Sequence, residues 1–167
     1  MRFAHSDLKR RYTLKLFILA SLLVISGLTY SAHHEGADGS NPFILIARVH
    51  VKEGMVNQYL EAAKKVDEAV ERTEPGMLFH NFDADPNDPL SFTWTEVYRN
   101  SESFLFHTSN PPVLDYVGQH GVLGDGFSIE IYGNVSEAVL KNIEVLGFPL
   151  THYKTTKVGY VREEIFR

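Results

Sequence analysis

The sequence predicts an α+β fold in which a single antiparallel sheet carries its helices on one face. Segments with alternating apolar residues, typical of strands, are interleaved with segments whose apolar residues recur every three or four positions, as on one side of a helix. They follow one another in the order β-α-β-β-α-β, with one more α-β unit at the end. This is the order of a ferredoxin-like split βαβ arrangement. At 167 residues, 44% of them hydrophobic, the chain suits one domain with a sizeable core.

The first half of the predicted domain contains a strand, a long helix and a hairpin. FILIARVHV (43–51) alternates and is rich in β-branched residues, as strands are. The apolar spacing after Gly54 predicts an amphipathic helix, which EPG (74–76) ends because proline cannot continue a helix. The composition of DPNDP (85–89) indicates a turn. A hairpin is therefore expected from the strands on either side of it, 77–84 and 90–99.

The second half of the predicted domain contains shorter elements. Asn100 or Ser101 caps the helix SESFLFHTS, which has Glu102 in its first turn. NPP (110–112) interrupts this helix, and VLDYVGQ continues as another short helical piece. The remaining predicted elements are a loop at 121–126, a strand at 127–133, a helix at 136–147 and a polar edge strand at 150–162.

The first 32 residues differ from the rest of the chain. Several basic residues precede LFILASLLVISGL (16–28), an uncharged apolar run of 13 residues, and the small residues Ser31 and Ala32 follow. This is the layout of a secretory signal, and the run is shorter than the roughly 20 apolar residues of a spanning helix. We expect residues 1–32 to be a signal peptide or, if uncleaved, an N-terminal anchor, and the folded part to be exported to the periplasm or secreted.

The remaining domain boundaries follow from composition. Residues 33–41 are small and polar and are predicted to be a flexible lead-in. The folded domain is expected over 42–167, and within it residues 134–167 form a C-terminal extension beyond the βαββαβ unit.

Charge and composition exclude several classes of function. Without residues 1–32 the chain has 11 basic and 20 acidic residues, a net charge of about −9. Such a domain repels phosphate backbones and anionic lipid, so we expect no nucleic-acid partner, and membrane contact only through an uncleaved N-terminal anchor. The chain has no cysteine, which excludes disulfides and thiolate nucleophiles. DPNDP lacks the glycine and glutamate of a calcium loop, and the histidines lack metal-site spacing, so no metal site is predicted.

Strand alternation predicts one unusual face of the sheet. Phe92, Trp94, Glu96 and Tyr98 share a face of their strand, and His80 and Phe82 of the neighbouring strand can join them. On the first strand, the uniformly apolar set containing Ala47 belongs under the helices. The other set, with Arg48 and His50, is therefore expected to face away from the helices, together with the aromatic residues. A second copy of the sheet is the simplest cover for that face, so a homodimer is expected.

Two interpretations of this face remain open. A charged Glu96 among aromatic rings is costly unless it is paired or hydrated, and Arg48 or His80 could be its partner. It could then be a structural salt bridge at the dimer interface, where Trp, Tyr and Arg are enriched. Alternatively, the residues line an aromatic cavity between sheet and helix that binds a flat organic ligand.

Five short motifs resemble those of the antibiotic biosynthesis monooxygenase (ABM) superfamily. In order, they are a glycine after the first strand, EPG before the second, a D-P turn, an E-x-[WY] third strand and a helix with H-x-x-S-P. They match Gly54, Glu74-Pro75-Gly76, Asp85-Pro86, Glu96-Val97-Tyr98 and His107-Thr108-Ser109-Asn110-Pro111. The resemblance spans about 43–133 and implies a dimeric α+β barrel.

The resemblance also implies a chemistry, which is the cofactor-independent oxygenation of a small phenolic or quinol-like aromatic. Such a site needs an aromatic slot, a base that deprotonates the substrate and a group that holds the resulting anion. Trp94, Phe92, Phe82 and Tyr98 are candidates for the slot. His107 or His80 is the candidate base, Glu96 is a third candidate catalytic residue, and Arg48 is the candidate anion holder. The alternative is a non-catalytic binding or sensor dimer that uses the same pocket.

In one respect the chain departs from relatives that degrade haem. The resemblance places their first-strand Asn at Ala47 and their third-strand Trp at Tyr98. Two of the three characteristic residues of that branch are therefore missing, and neither haem nor any other cofactor is expected.

Overall fold

The computed structural model describes residues 41–162 as a five-stranded sheet with four helices. The predicted signal or anchor, residues 1–32, lies outside the described residues. The elements in chain order are β1 (Phe43–Val51), α1 (Val56–Thr73), β2 (Met77–Ala84), β3 (Ser91–Tyr98), α2 (Ser101–Ser109), α3 (Pro111–Leu123), β4 (Gly124–Tyr132), α4 (Glu137–Leu146) and β5 (Leu150–Tyr153). In this part of the chain, no helix is both long enough and apolar enough to cross a membrane.

The sheet has the strand order β2-β3-β1-β4-β5, which confirms the ferredoxin-like prediction. All neighbouring pairs are antiparallel except β4 and β5, which are parallel. The parallel pair departs from the all-antiparallel expectation because β4 and β5 are connected through α4, and a helical crossover brings the chain back in its original direction. The predicted edge position of β5 is confirmed.

The hairpin of β2 and β3 is held by the acidic residues of its turn. The carboxylate of Asp85 accepts a hydrogen bond from the backbone of Asn87 at 2.8 Å, and that of Asp88 accepts one from the backbone of Leu90 at 3.0 Å. Asp88 also accepts the hydroxyl hydrogen bond of Ser91 at 2.7 Å. These contacts are those of Asx turns, in which a carboxylate replaces a backbone acceptor.

Two boundaries differ from those predicted. Helix α3 begins at Pro111 and continues to Leu123, and β4 begins at Gly124, so the predicted loop at 121–126 was wrong. Prolines are well placed at the first helical position because their missing N–H would have no intrahelical acceptor there. Strand β5 ends at Tyr153 instead of extending to 162, because its partner β4 has already ended at Tyr132.

The register of the sheet reverses one prediction about its faces. Trp94 lies opposite Ala47, and Phe92 lies opposite Val49. Directly opposed residues of antiparallel strands share a face, and Ala47 lies under the helices, as expected. The aromatic residues therefore also lie under the helices, and the expectation that they face away was wrong. Alternation within one strand defines two faces, but only the pairing with β1 decides which of them is covered.

The helices cover one face of the sheet, and its interior residues form a single hydrophobic core. Between residues 41 and 162, no helix covers the other face, which we call the open face. At one end of the open face an apolar row crosses all five strands through consecutive register pairs. The row consists of Phe79, Val97, Ile44, Tyr132 and Tyr153. Apart from Ile46, the rest of the open face is mainly polar, and it includes Arg48.

Candidate functional site

Seven of the eight predicted site residues meet between the sheet and helices α1, α2 and α3. Strands β2 and β3 supply His80, Phe82, Phe92, Trp94, Glu96 and Tyr98, and helix α2 supplies His107. Three of the aromatic members form a continuous stack, with ring centroids 5.0 Å apart between Phe82 and Phe92 and 4.5 Å apart between Phe82 and Trp94. We call this set of seven residues the candidate site.

Glu96 is the buried acid of the candidate site, with 5% of its surface exposed. The Tyr98 hydroxyl donates a hydrogen bond to one carboxylate oxygen of Glu96 at 2.6 Å. The other oxygen lies 3.8 Å from Nε2 of His80. A buried carboxylate is stable only when such partners replace water, and the hydrogen bond from Tyr98 is the one that Glu96 receives among the described residues.

His80 connects Glu96 with the protein surface. Its Nδ1 lies 2.8 Å from a carboxylate oxygen of Asp67 on α1, and the Asp67 side chain is 46% exposed. Because an ionised carboxylate only accepts hydrogen bonds, Nδ1 carries the proton in this pair, and Nε2 is the nitrogen that faces Glu96. The His80 ring also lies flat on Trp94, with centroids 4.2 Å apart and planes at 15°.

Asp67 was not among the predicted site residues. In the sequence it is one of several charged residues on the wet side of an amphipathic helix, and its side chain is not distinguished from the others by spacing. Only the packing of α1 against β2 brings it to His80.

His107 is held by a second carboxylate, that of Glu74 at the end of α1. Nδ1 of His107 lies 2.9 Å from one oxygen of Glu74, and the side-chain amide of Asn110 donates to the other oxygen at 2.7 Å. Burial by itself lowers the pKa of His107, but the hydrogen bond to Glu74 and the negative charges of Glu96 and Glu74 outweigh it and raise the pKa above its ordinary value. His107 therefore favours the protonated, cationic form.

The contacts of Glu74 with His107 and Asn110 explain two of the sequence motifs in structural terms. Glu74 is the first residue of EPG, and Asn110 belongs to the HTSNP stretch, directly after the last residue of α2. In the sequence both stretches serve as helix breaks and as marks of resemblance, and neither side chain was predicted to be a site residue. Their co-occurrence was the available signal, since they are partners of one buried cluster.

Tyr98 is fully buried and belongs to the hydrophobic core as much as to the candidate site. Its ring stacks on Phe43 with centroids 5.2 Å apart and contacts Phe104 edge-on at 5.3 Å. Burial and the neighbouring charge of Glu96 raise the pKa of the Tyr98 phenol well above its ordinary value. Tyr98 therefore stays protonated and acts as a hydrogen-bond donor to Glu96.

A chain of hydrogen bonds leaves the candidate site on the Trp94 side. The indole N–H of Trp94 donates to the Tyr116 hydroxyl at 2.8 Å, and Tyr116 donates to the Tyr59 hydroxyl at 2.9 Å. Tyr59 lies 2.8 Å from Nδ1 of His120. Sequence reasoning missed these three partners because they lie on α1 and α3 among core positions.

Arg48 is the eighth predicted residue, and the expectation that it points towards the aromatic residues was wrong. It lies on the open face, where its Nε donates to Glu130 at 2.7 Å and its side chain is 55% exposed. Arg48 lies opposite Thr93, whose side chain is on the other side of β3 from Trp94. The sheet thus separates Arg48 from the candidate site.

An open groove lies elsewhere, on the outer surface between α1 and α3. Its volume is about 720 Å³, and residues such as Glu61, Lys65, Leu114 and Gln119 line it. It shares no residue with the candidate site. Within residues 41–162, no group of three or more acidic, histidine or cysteine side chains could hold a metal ion.

The fold and the buried acid–histidine cluster define an α+β, ferredoxin-like domain with its polar groups between sheet and helices. Residues 42–119 match the antibiotic biosynthesis monooxygenase family, and this part of the chain is therefore an ABM domain. No curated protein is similar in sequence to this chain.

Several solved structures share the fold. A Caulobacter crescentus protein, provisionally named an antibiotic biosynthesis monooxygenase, superposes with a TM-score of 0.55 at 17% identity, over 59% of this chain and 94% of its own. One from Nitrosomonas europaea with the same provisional name gives 0.53 at 20% identity, over 58% of this chain and 92% of its own. A Bacteroides thetaiotaomicron protein of unknown function, described as a "possible oxidoreductase", superposes with a TM-score of 0.52 at 22% identity, over 56% of this chain and 97% of its own. At these identities the similarity shows the fold alone.

Proposed function

We propose that the protein is an ABM-type monooxygenase that oxidises a small phenolic or quinol-like aromatic with dioxygen and needs no cofactor. One observation carries the proposal. His80 is held by Asp67 through one ring nitrogen, presents the other beside Glu96, and lies flat on the indole of Trp94. A base next to an aromatic surface is the arrangement that deprotonation of a phenol requires.

In this proposal His80 is the base. Its Nε2 accepts the phenolic proton, and the carboxylate of Asp67 stabilises the imidazolium that forms, as the carboxylate of a catalytic triad does for its histidine. Since the Asp67 side chain is 46% exposed, it also gives the proton a route to solvent. Asp67 is then a positioning residue for His80.

His107 takes the role that the sequence analysis gave to Arg48. Its raised pKa favours the cation, and its ring centroid lies 6.1 Å from that of His80 and 5.7 Å from that of Tyr98. A buried cation there offsets the negative charge of the substrate anion and of Glu96.

The oxidation balances without a further reductant. The phenolate supplies four electrons to dioxygen, and one carbon that carried hydrogen becomes a carbonyl. One oxygen atom enters the product, which is a quinone, and the other leaves as water with two hydrogens of the substrate.

The proposal is tested by oxygen consumption with a panel of hydroquinones and phenols. Replacing His80→Gln should lower kcat/KM by about 100-fold or more, which is the usual contribution of a general base. Asp67→Asn should lower it less and shift its pH profile. The matched control is His50→Gln, because His50 also contacts an aspartate, Asp125, but lies on the open face. Equal turnover in His80→Gln and wild type would remove the base from the proposal.

A second candidate function is favoured by the close packing of the candidate site. Tyr98 has no exposed surface and Trp94 only 3%, and such packing suits a binding or sensor module that uses the same aromatic residues without turnover. Quenching of Trp94 fluorescence by a hydroquinone, with no oxygen consumed, would favour this function over the oxygenase.

We further propose that the chain acts as an exported homodimer joined through the open face. The apolar row supports the dimer because its members Phe79 and Tyr153 are 45% and 50% exposed in the single chain. Export rests on the N-terminal sequence, and N-terminal sequencing of protein recovered outside the cytoplasm tests it.

A further inference from the structure

Trp94, Tyr116, Tyr59 and His120 form a continuous line of hydrogen bonds that runs from the candidate site into helix α3. The donors are ordered in one direction. The indole N–H donates to Tyr116, and Tyr116 donates to Tyr59. Because the Tyr59 oxygen already accepts this bond, its own proton is free to point at Nδ1 of His120, 2.8 Å away.

The rings of the same four residues are close together along the whole line. Centroid distances are 5.9 Å between Trp94 and Tyr116, 5.6 Å between Tyr116 and Tyr59, and 5.8 Å between Tyr59 and His120. None of the four is more than 7% exposed. Indole and phenol are the side chains of this protein that lose an electron most easily, and here they are in contact.

The end of the line is suited to take up a proton. Burial lowers the pKa of His120 and so favours its neutral imidazole, and in the tautomer with the proton on Nε2 its Nδ1 accepts the hydrogen bond of Tyr59. Burial, together with Tyr116, raises the pKa of Tyr59, and burial raises that of Tyr116 to about 12. Neither phenol therefore gives up its proton by simple ionisation. Oxidation changes this, because a phenol that loses an electron becomes a strong acid.

We propose that Trp94, Tyr116, Tyr59 and His120 are a radical-transfer chain that carries oxidising equivalents away from the candidate site. Its use in the cell rests on the proposed oxygenase, whose stray oxidant would be a peroxyl radical of the substrate. That radical takes one electron from Trp94 and one proton from water, and becomes a hydroperoxide while the water becomes a hydroxide ion.

The following step restores Trp94. An electron from Tyr59 reaches the Trp94 cation radical through Tyr116, and the phenolic proton of Tyr59 moves to Nδ1 of His120. The products are neutral Trp94, a neutral Tyr59 phenoxyl radical and a His120 imidazolium. One electron and one proton have moved, and both are accounted for.

The radical-transfer chain can be tested without any substrate because Trp94 is the only tryptophan of the protein. An ultraviolet pulse ejects an electron from Trp94 in the intact protein, and transient absorption then follows the tryptophan and tyrosyl radicals. In wild type the tryptophan radical should decay as a tyrosyl radical appears, more slowly in D₂O. Tyr116→Phe should lengthen the tryptophan-radical lifetime at least about tenfold, which corresponds to a barrier higher by about 1.4 kcal/mol.

Two further variants make the test decisive. Tyr59→Phe should prevent the formation of the long-lived tyrosyl radical, while the control Tyr160→Phe, a tyrosine that is 79% exposed and outside the apolar row, should leave yield and lifetime unchanged. Circular dichroism checks that each variant is folded. Wild-type kinetics in both Tyr116→Phe and Tyr59→Phe would overturn the proposal. So would a tyrosyl signal that only Tyr160→Phe removes. Neither result depends on whether the protein oxidises hydroquinones.

Discussion

Glu96 and Glu74 are two carboxylates that the fold buries within one cluster, each with its own histidine. Glu96 has Tyr98 and His80 as neighbours, whereas Glu74 has His107 and Asn110. Burying a carboxylate without partners costs several kcal/mol, and the hydrogen bonds of Tyr98 to Glu96 and of His107 and Asn110 to Glu74 offset this cost. The same contacts produce an ordered set of acid, base and donor beside Trp94.

The stability of the fold should depend on pH through His107. Its pKa is raised in the folded state, so the folded chain holds this proton to a higher pH than the unfolded chain does. The stabilisation by His107 is therefore complete below its ordinary pKa of 6.5 and is lost as the pH rises through the folded value. In urea unfolding, the free-energy advantage of wild type over His107→Asn should shrink from acidic to alkaline pH.

His120 provides the matched comparison for this prediction. Burial lowers its pKa, so proton binding favours the unfolded chain. Its contribution becomes unfavourable as the pH falls through the folded value. The difference between wild type and His120→Asn should therefore grow with rising pH, opposite to that for His107→Asn. Differences that change in the same direction with pH for both variants would contradict the two assignments.

At the scale of elements, the turn between α1 and β2 is fixed by its contact with α2. The side chain of Asn100 caps α2 by accepting hydrogen bonds from both the backbone N–H and the hydroxyl of Ser103, each at 2.9 Å. A Cβ atom on Gly76 would lie 2.2 Å from that same hydroxyl oxygen. Because the cap holds Ser103 in place, position 76 has no room for a side chain.

Gly76→Ala should therefore destabilise the protein by about 1–3 kcal/mol, the usual cost of overpacking a fitted contact. The matched control is Gly118→Ala in α3, where a Cβ atom would meet nothing within 4 Å. That change should stabilise the helix by about 0.5–1 kcal/mol, since alanine loses less backbone entropy than glycine. Urea and thermal unfolding measure both. Unchanged stability in Gly76→Ala would mean that the turn moves freely relative to α2.

At the scale of the whole molecule, the proposed dimer can be tested on the apolar row of the open face. Phe79→Asp places a charge among Val97, Ile44 and the neighbouring tyrosines, and a charge buried in an interface without a partner opposes association. We expect light scattering after size-exclusion chromatography to give a dimer for wild type and a monomer for Phe79→Asp. Val145→Asp is the matched control, because Val145 is 87% exposed on α4 and lies away from the open face. A wild-type monomer at micromolar concentration would contradict the proposal.

The sequence by itself determined most of the elements and their order. The alternation of apolar residues, their helical spacing and helix-ending or turn signals such as EPG and DPNDP are local properties, because they depend on residues that are neighbours in the sequence. The strands, the hairpin and a cap at Asn100 or Ser101, of which the structure has Asn100, were therefore predictable. The parallel β5, its early end and the continuous α3–β4 junction were not, because they depend on which partners are available in space.

The candidate site was only partly determined by the sequence, for the same reason. Strand alternation grouped Trp94, Glu96 and Tyr98 correctly, but it could not say which face the helices cover. The pairing of Trp94 with Ala47 decided that question, and it removed Arg48 from the site. Tertiary packing alone brought Asp67 to His80, Glu74 to His107 and Tyr116 to Trp94. Such contacts join side chains far apart in the chain, and local preferences contain no information about them.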